Sequence, residues 1–401
     1  MSRVVCCIPG LAALLAWTAV AVAEPTVTPR EQPAAAAGES QVAIDVREEI
    51  ARVDVKLKLY DGTPFAGEMV VTHYRPEGSG PFPLVVFSHG RTPTSRHEPA
   101  RWRALQAARY WTRRGFAVIV PTRVGYGELN TSVDPEISGS CANANFRPAI
   151  DAMTTQIARA VDFARTLPWV DGSRIILTGV SYGGFGTIAA TSAQIAGVVG
   201  AVNFVGGLGG SPQQRPSDPC QGERITGLAA EFGGRSRVPT LWLYADNDAY
   251  WGKEWPRRWF DAFTAAGGSG KLVNFAAVGD DGHKLMSSAF PSWRPVVDRF
   301  VASIGFKLPM AAPSLQASGF AAIDDADKVP FTKPSARVET WPKFLAADVP
   351  RAFAFAPGGA WAWRSGLDAV EVALSRCQQN ARTPCKLYAV DDRVVWKQQS
   401  R

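Results

Sequence analysis

The chain has 401 residues, of which 46% are hydrophobic and 20% charged, and its formal net charge is +7. That apolar content excludes an intrinsically disordered chain and predicts a main domain with a large buried core plus a smaller part. No run of five or more basic residues occurs, so the positive charge indicates a solvated basic surface and argues against a nucleic-acid-binding protein.

The first 23 residues have the pattern of a secretory signal peptide. Arg3 supplies a positive start, an apolar run covers residues 8–22, and Ala21-Val22-Ala23 fits a cleavage site for small residues. The apolar run is too short for a membrane anchor, and no other stretch could span a bilayer. We therefore predict an exported protein, periplasmic or secreted, without a membrane span. Residues 24–41, rich in Pro and Ala, predict a flexible leader.

Residues 42–306 predict the main domain. They open with an alternating pattern around an Asp61-Gly62 turn, which is typical of an antiparallel hairpin. Short apolar runs then alternate with helical patterns, which indicates parallel strands joined by crossover helices in a doubly wound α/β sheet. The predicted strands are 83–87, 116–120, 174–177, 197–204, 240–244 and 272–275, and the predicted helices are 100–113, 147–167, 184–194, 255–266 and 295–304. Residues 206–238 show no regular pattern.

The remainder of the chain has a different character. Residues 307–345 contain Pro, Ala and Ser and predict a linker, whereas residues 346–401 predict a small α+β module. This module loosely resembles small two-cysteine domains of bacterial envelope proteins, which implies contact with the cell envelope. Trp361 and Trp363 fit either packing within the module or binding of a glycan or partner.

Four cysteines remain after the predicted signal peptide, and four cysteines allow three pairings. An even number in an exported chain favours disulfides. We predict Cys141–Cys220 and Cys377–Cys385, because each pair then lies within one part of the chain. No Cys-x-x-Cys motif or Cys/His cluster occurs, so we expect no metal site.

The most specific motif is Gly179-Val180-Ser181-Tyr182-Gly183. It has the form G-x-S-x-G, follows an apolar strand and precedes a helical pattern, which is the context of a nucleophile elbow. The sharp turn needs small flanking residues, and it lifts the Ser181 hydroxyl to the edge of the sheet where α/β domains bind ligands. The motif predicts Ser181 as a catalytic nucleophile.

A serine hydroxyl needs a base, which in this fold follows the nucleophile and an acid along the chain. His283 is the only histidine after Ser181, and it lies in a polar glycine loop between a strand and a helix. The acid is expected after the strand at 240–244, where Asp246 and Asp248 both qualify by spacing. Spacing alone leaves the two open.

An oxyanion intermediate needs two N–H donors. The backbone of Tyr182 is one candidate, and the backbone of Arg91 in Ser88-His89-Gly90-Arg91 is the other. The His89 side chain either pins this turn or contacts substrate, and Arg123 and Tyr250 are further candidate substrate contacts. The cations Arg91, Arg96, His97 and Arg123 flank the expected mouth of the site, where they either hold an anionic group of the substrate or form ordinary surface charge.

Ser-His-Gly at 88–90, Gly-Val-Ser-Tyr-Gly-Gly at 179–184, the Asp-Asn-Asp segment and Gly-His at 282–283 resemble a dienelactone hydrolase-like member of the α/β-hydrolase superfamily. The resemblance covers about residues 45–306. In relatives with the Tyr-x-x-Asn-Asp pattern of residues 244–248, the last Asp is the triad acid, which implies Asp248. Dienelactone hydrolases have Cys in place of Ser181, so lactone opening is not implied. The Ser-Tyr-Gly-Gly segment also resembles prolyl oligopeptidase-type peptidases.

We therefore predict a serine hydrolase that cleaves a small carboxylic ester and uses no cofactor. Three alternatives stay open: a peptidase with the same triad, an acyltransferase that acts on an envelope alcohol or amine, and an inactive protein that binds through its C-terminal module. The acyl-chain length, the leaving group and the oligomeric state are not encoded in any motif.

Overall fold

The structure is a computed structural model that describes residues 43–92, 94–308, 315–329, 334–366 and 368–397. The predicted signal peptide at 1–23 and leader at 24–41 lie outside the described residues. Within the described ranges, no helix has the length and apolar character needed to cross a bilayer. In those same ranges, no cluster of His, Cys, Asp and Glu side chains could hold a metal ion.

An eight-stranded sheet forms the main domain, with strand order β1-β2-β4-β3-β5-β6-β7-β8. Its first two strands form an antiparallel hairpin, β2 also pairs antiparallel with β4, and the other neighbours are parallel. The strands are β1 (Glu49–Lys58), β2 (Pro64–Tyr74), β3 (Phe82–Ser88), β4 (Ala117–Thr122), β5 (Val170–Val180), β6 (Val198–Phe204), β7 (Thr240–Ala245) and β8 (Gly270–Phe275).

Helices connect the parallel strands or follow the last of them. They are α1 (Leu105–Thr112), α2 (Arg147–Arg165), α3 (Tyr182–Ser192), α4 (Gly222–Arg235), α5 (Glu254–Ala265), α6 (Leu285–Ser288) and α7 (Phe290–Ser303). Every residue of β4 and β7 is buried, as expected for strands covered on both faces. The doubly wound α/β class and the opening hairpin are confirmed. Helix α4 was not predicted, because its residues lie in the segment without a regular pattern.

A second, four-stranded antiparallel sheet has the order β10-β9-β11-β12. Its elements are α8 (Pro334–Glu339), α9 (Trp341–Ala346), β9 (Arg351–Phe355), β10 (Trp361–Ser365), α10 (Ala369–Gln379), β11 (Lys386–Val390) and β12 (Arg393–Val394). Small apolar residues of β9 pack against α10, which covers one face of this sheet. The predicted C-terminal α+β module is therefore present.

The predicted linker over residues 307–345 is wrong for much of its described length. Val329, Trp341 and Phe344 are buried in the apolar cluster on the second face of the C-terminal sheet. Trp361 stacks on Phe353 and Trp363 meets Phe344 edge to face, which shows packing contacts for both tryptophans. The sequence did not indicate that these residues are buried, because the few large apolar side chains of residues 307–345 lie far apart in sequence.

A disulfide lies within each part, and ion pairs connect the two parts. The structure forms both predicted disulfides, Cys141–Cys220 and Cys377–Cys385. Arg109 of α1 and Arg113, the residue after this helix, reach the C-terminal module: Arg109 forms an ion pair with Glu371, and Arg113 forms one with Asp391. The first helix of the main domain therefore depends on the last hundred residues for part of its charge compensation.

Candidate active site

Ser181 lies at the turn between β5 and α3. Its backbone has φ 55° and ψ −126°, a conformation that L-residues rarely adopt, and this half-buried residue follows the last residue of β5. Such strain is typical of a nucleophile elbow, where the surrounding structure forces the serine side chain outward. The motif geometry is therefore the one that the sequence predicted.

The two glycines of the motif are required by close backbone contacts. A Cβ atom on Gly179 would lie 2.4 Å from the Gly183 carbonyl oxygen. On Gly183 it would lie 2.2 Å from the His89 carbonyl oxygen and 2.3 Å from that of Ser88. Since real Cβ atoms do not approach so closely, any side chain here would displace either the elbow or the neighbouring loop after β3.

His283 lies between Ser181 and Asp248. Its Nε2 atom is 2.9 Å from Ser181 Oγ, and its Nδ1 atom is 3.1 Å and 3.2 Å from the two carboxylate oxygens of Asp248. The Asp248 side chain is fully buried, whereas the His283 side chain keeps 13% of its surface exposed. With Nδ1–H donated to Asp248, Nε2 is left to accept the Ser181 hydroxyl proton.

The structure distinguishes between the two candidate acids, Asp246 and Asp248. Asp246 accepts a hydrogen bond from the Asn274 side chain and does not contact His283. Asp248 also accepts hydrogen bonds from the backbone N–H groups of Tyr250 and Trp251, at 2.8 Å and 3.2 Å. These bonds hold the carboxylate toward the imidazole, so Asp248 has the geometry of a triad acid.

The loop that carries His283 is bonded to the loop after β7. Asp281 accepts from the backbone N–H groups of His283 and Ala249, at 2.9 Å and 3.0 Å. Gly282 donates its N–H to the Asn247 carbonyl at 3.0 Å. Asp281 therefore shapes the loop that positions the base.

Two backbone N–H groups are available for an oxyanion. Tyr182 is the first residue of α3, so its N–H has no partner within the helix, and the positive end of the helix dipole lies at Ser181. The loop after β3 approaches the nucleophile, and a Cβ atom on Gly90 would lie 3.4 Å from Ser181 Cβ. The Arg91 N–H, the second donor expected from the sequence, belongs to the same loop.

Two predicted substrate contacts, His89 and Arg123, are wrong. Both side chains are fully buried and engaged within the protein. His89 stacks on Trp102 at 4.5 Å between ring centroids, and Arg123 forms an ion pair with Glu136. Burial together with the nearby Arg123 charge lowers the pKa of His89 well below its ordinary value of 6.5, so its imidazole is neutral at pH 7.

The other predicted cations also differ from a free anion site. Arg91 makes a two-pronged contact with Asp134, at 3.1 Å and 2.9 Å, and Arg96 binds the carbonyls of Gly125 and Val133. Burial alone would raise the pKa of Asp134, but hydrogen bonds from Arg91 and its charge lower it overall. Of the predicted group, His97 is exposed.

Tyr250 lies beside the triad. Its ring stacks on that of His283 with 4.0 Å between centroids and 27° between planes, and part of its surface is exposed. It is therefore placed where it can contact both the base and a bound substrate. Asp134 and Glu136 were missed in the sequence, because they lie in a segment without strand or helix periodicity.

The fold and the Ser181-His283-Asp248 geometry define a serine hydrolase with the α/β-hydrolase fold. Residues 61–209 match the family model for X-Pro dipeptidyl-peptidase of the S15 family. This matched region includes Ser181 but ends before Asp248 and His283. The match therefore covers the nucleophile, whereas the acid and the base are identified by their distances to it in the structure.

Known proteins resemble parts of the chain. Dipeptidyl-peptidase 5 of Porphyromonas gingivalis is 32% identical over 106 residues, which are 26% of this chain and 14% of that protein. A putative dienelactone hydrolase from Klebsiella pneumoniae is similar in structure, with 18% identity, 65% and 100% of the two chains covered and a TM-score of 0.42. A puromycin-hydrolysing peptidase of Mycobacterium tuberculosis has 18% identity, coverage of 68% and 41%, and a TM-score of 0.46.

Proposed function

We propose that the protein hydrolyses a carboxylic ester through an acyl-enzyme on Ser181. His283 takes the hydroxyl proton as Ser181 attacks the carbonyl carbon, and Asp248 stabilises the resulting imidazolium. The N–H groups of Tyr182 and Arg91 hold the oxyanion. His283 then gives its proton to the departing alcohol, and a water molecule, deprotonated by the same imidazole, releases the acid.

The ester proposal rests on one observation: four carboxylates around the site are bonded to partners within the protein. A peptidase that grips the amino terminus of its substrate needs a carboxylate free to bind an ammonium group. Asp134 and Glu136 are paired with arginines, Asp248 faces His283, and Asp281 binds backbone N–H groups. A neutral acyl group makes no such demand, which favours an ester.

The match to the S15 family model favours a second candidate, a peptidase that cleaves after a short amino-terminal segment. The same triad would serve, with His283 protonating an amine in place of an alcohol. In that case the substrate's ammonium group would bind either one of these four carboxylates, which would give up its internal partner, or the exposed Asp280 near His283.

Parallel kinetics separate the two candidates. The test compares p-nitrophenyl acetate and butyrate with Gly-Pro and Ala-Pro p-nitroanilides, using wild-type protein and Ser181→Ala. The proposal predicts ester turnover that is lost in Ser181→Ala and a kcat/KM for the anilides at least 100-fold lower. Anilide turnover equal to or above ester turnover would establish the peptidase. Absence of any turnover and of fluorophosphonate labelling would refute both.

We further propose that the protein acts in an oxidising compartment outside the cytoplasm, which agrees with its two disulfides and the predicted signal peptide. Fractionation of expressing cells, with immunoblotting of the full chain, tests this. A protein found with its amino terminus intact in the reducing compartment would contradict it.

A further inference from the structure

A buried ion pair lies directly behind the loop that carries the second oxyanion donor. Arg123, the residue after β4, forms this pair with Glu136, and neither side chain has any exposed surface. Burying two charges costs free energy that their attraction often does not return, so a buried pair is weak support for stability alone. Stability alone therefore does not explain why the pair is buried, and its other contacts indicate a further role.

The Arg123 guanidinium binds the loop after β3 at three points. It donates to the His89 carbonyl at 2.6 Å, to the Gly90 carbonyl at 3.2 Å and to the Ser88 hydroxyl at 3.2 Å. Glu136 holds the guanidinium from its other side through Nε and Nη2. Since a guanidinium is planar and its donors diverge, one side chain can fix both carbonyls and its carboxylate partner together.

The Gly90 carbonyl and the Arg91 N–H belong to the same peptide unit. A peptide unit is planar and trans, so its carbonyl and its N–H point in opposite directions. Holding the Gly90 oxygen on the side of Arg123 therefore aims the Arg91 N–H the other way. Gly90 itself lies against the nucleophile, since a Cβ atom there would be 3.4 Å from Ser181 Cβ.

Glycine makes this arrangement vulnerable. Without a side chain, Gly90 can adopt most backbone conformations, so the peptide unit between Gly90 and Arg91 could rotate and present its carbonyl to the site. A carbonyl oxygen there would repel an oxyanion. A fixed donor on the Gly90 oxygen removes that alternative, and preorganised donors are what stabilise developing charge.

A second donor acts on the same oxygen. The Nδ1 atom of His89 lies 2.7 Å from the Gly90 carbonyl, and its Nε2 atom accepts the backbone N–H of Arg123 at 3.2 Å. This pattern requires a neutral imidazole with its proton on Nδ1. The Arg91 side chain is anchored nearby by Asp134, whose carboxylate also accepts the Glu136 N–H.

We infer that Arg123, held by Glu136, is a positioning residue that keeps the Gly90–Arg91 peptide unit oriented with its N–H toward Ser181. The inference deepens the proposed function and rests on it, because it assigns the assembly of the oxyanion hole to a pair of residues that never contact substrate. Arg123 acts through a backbone orientation and exchanges no proton.

The test uses Arg123→Met, Arg123→Lys and the double variant Arg123→Met/Glu136→Leu, each measured on a p-nitrophenyl ester. Losing one oxyanion donor costs about 100-fold to 1,000-fold in kcat. We expect about a 100-fold fall in kcat for Arg123→Met and the double variant, with KM within about 2-fold of wild type. We expect Arg123→Lys, which can reach one carbonyl, to recover about 10-fold of that loss.

A trifluoromethyl ketone supplies the second measurement, because its hemiketal oxygen occupies the oxyanion hole. Its affinity should fall by about the same factor as kcat, while the affinity for the product acid stays within about 2-fold. Asp45→Asn is the matched control: it breaks the buried Arg109–Asp45 pair, which links the segment before β1 to α1. It should lower thermal stability without changing kcat.

The double variant keeps the test decisive if Arg123→Met fails to fold, since it removes both charges together and leaves none buried alone. Wild-type kcat and ketone affinity in the folded variants would overturn the inference while the proposed function stands. Absence of ester turnover in the wild type would refute the proposed function instead. Ketone binding would then still test the inference, and a wild type that does not bind the ketone would overturn it.

Discussion

The two sides of the candidate active site are held by different interactions. On the side of the oxyanion loop, arginines paired with carboxylates anchor the backbone, as Arg123 does with Glu136 and Arg91 with Asp134. On the side of the base, carboxylates accept backbone N–H groups, and an aromatic ring covers the imidazole. The described contacts of His283 include no arginine or lysine.

This division follows from what each side has to do. The oxyanion loop must keep one orientation throughout the reaction and exchanges no proton, so fixed positive charges can hold it. The base must gain and lose a proton, and a nearby cation would oppose the imidazolium. Carboxylates favour the imidazolium, so placing the cations on one side lets the same site stabilise an oxyanion and a protonated base.

The largest expected effect comes from removing the carboxylate beside the base. Asp248→Asn should lower kcat about 1,000-fold to 10,000-fold on an ester substrate, because an amide favours the wrong tautomer of the imidazole and supplies no charge to stabilise the imidazolium. Asp246→Asn is the matched control, since Asp246 binds Asn274, and it should change kcat less than 2-fold. Equal losses in the two variants would mean that the acid was assigned wrongly.

A smaller effect is expected from the loop that carries the base. Asp281→Ala removes the acceptor of the His283 and Ala249 N–H groups and should lower kcat about 10-fold, because a slightly displaced base transfers protons poorly. The exposed neighbour variant Asp280→Ala should retain wild-type kcat. Steady-state kinetics of both variants, with circular dichroism to check folding, measure the difference.

Tyr250 tests whether stacking contributes on the base side. Aromatic pairs of this kind are worth about 0.5–1.5 kcal/mol, so Tyr250→Ala should lower kcat/KM about 2-fold to 10-fold. Tyr250→Phe keeps the ring over His283 and should stay close to wild type. If Tyr250→Phe loses as much as Tyr250→Ala, the hydroxyl and not the ring is what matters, which would point to a direct substrate contact.

The smallest expected effect is on the stability of the folded protein and comes from the protonation of His89 at acidic pH. Burial lowers its pKa in the folded protein below the ordinary value of 6.5, so the unfolded chain binds more protons once the pH falls below that value. Its contribution to stability is therefore full above about pH 6.5 and declines with acidification. The urea concentration at the midpoint of unfolding should therefore decrease when the pH is lowered from 7 to 5.

His73 is also buried with a lowered pKa, so it contributes to this acid sensitivity in the same direction. In His89→Gln the change of the midpoint with pH should be smaller than in wild type, with a part that remains because of His73. A pH dependence identical to that of wild type would show that His89 is not buried as a neutral ring.

Sequence patterns predicted the fold well where periodicity is strong. The strands and helices around Ser181 have clear patterns, and chain order left His283 as one candidate base. The sequence could not show that Arg123 and His89 point into the protein, because a buried arginine and one at the mouth of a site look alike in sequence. Glu136 and Asp134 had no periodicity to mark them, and their partners Arg123 and Arg91 lie 13 and 43 residues away in the sequence.

The ion pairs of Arg109 and Arg113 with the C-terminal module affect how the chain must be made. Arg109 and Arg113 meet Glu371 and Asp391, which lie 262 and 278 residues further along. During synthesis the first domain therefore emerges long before these acidic partners, and its helix stays incompletely compensated until the last segment folds. A chain that ends near residue 370, through a premature stop codon or proteolysis, would keep Ser181 but lack these partners. We expect such a chain to be unstable and to be degraded by cellular proteases.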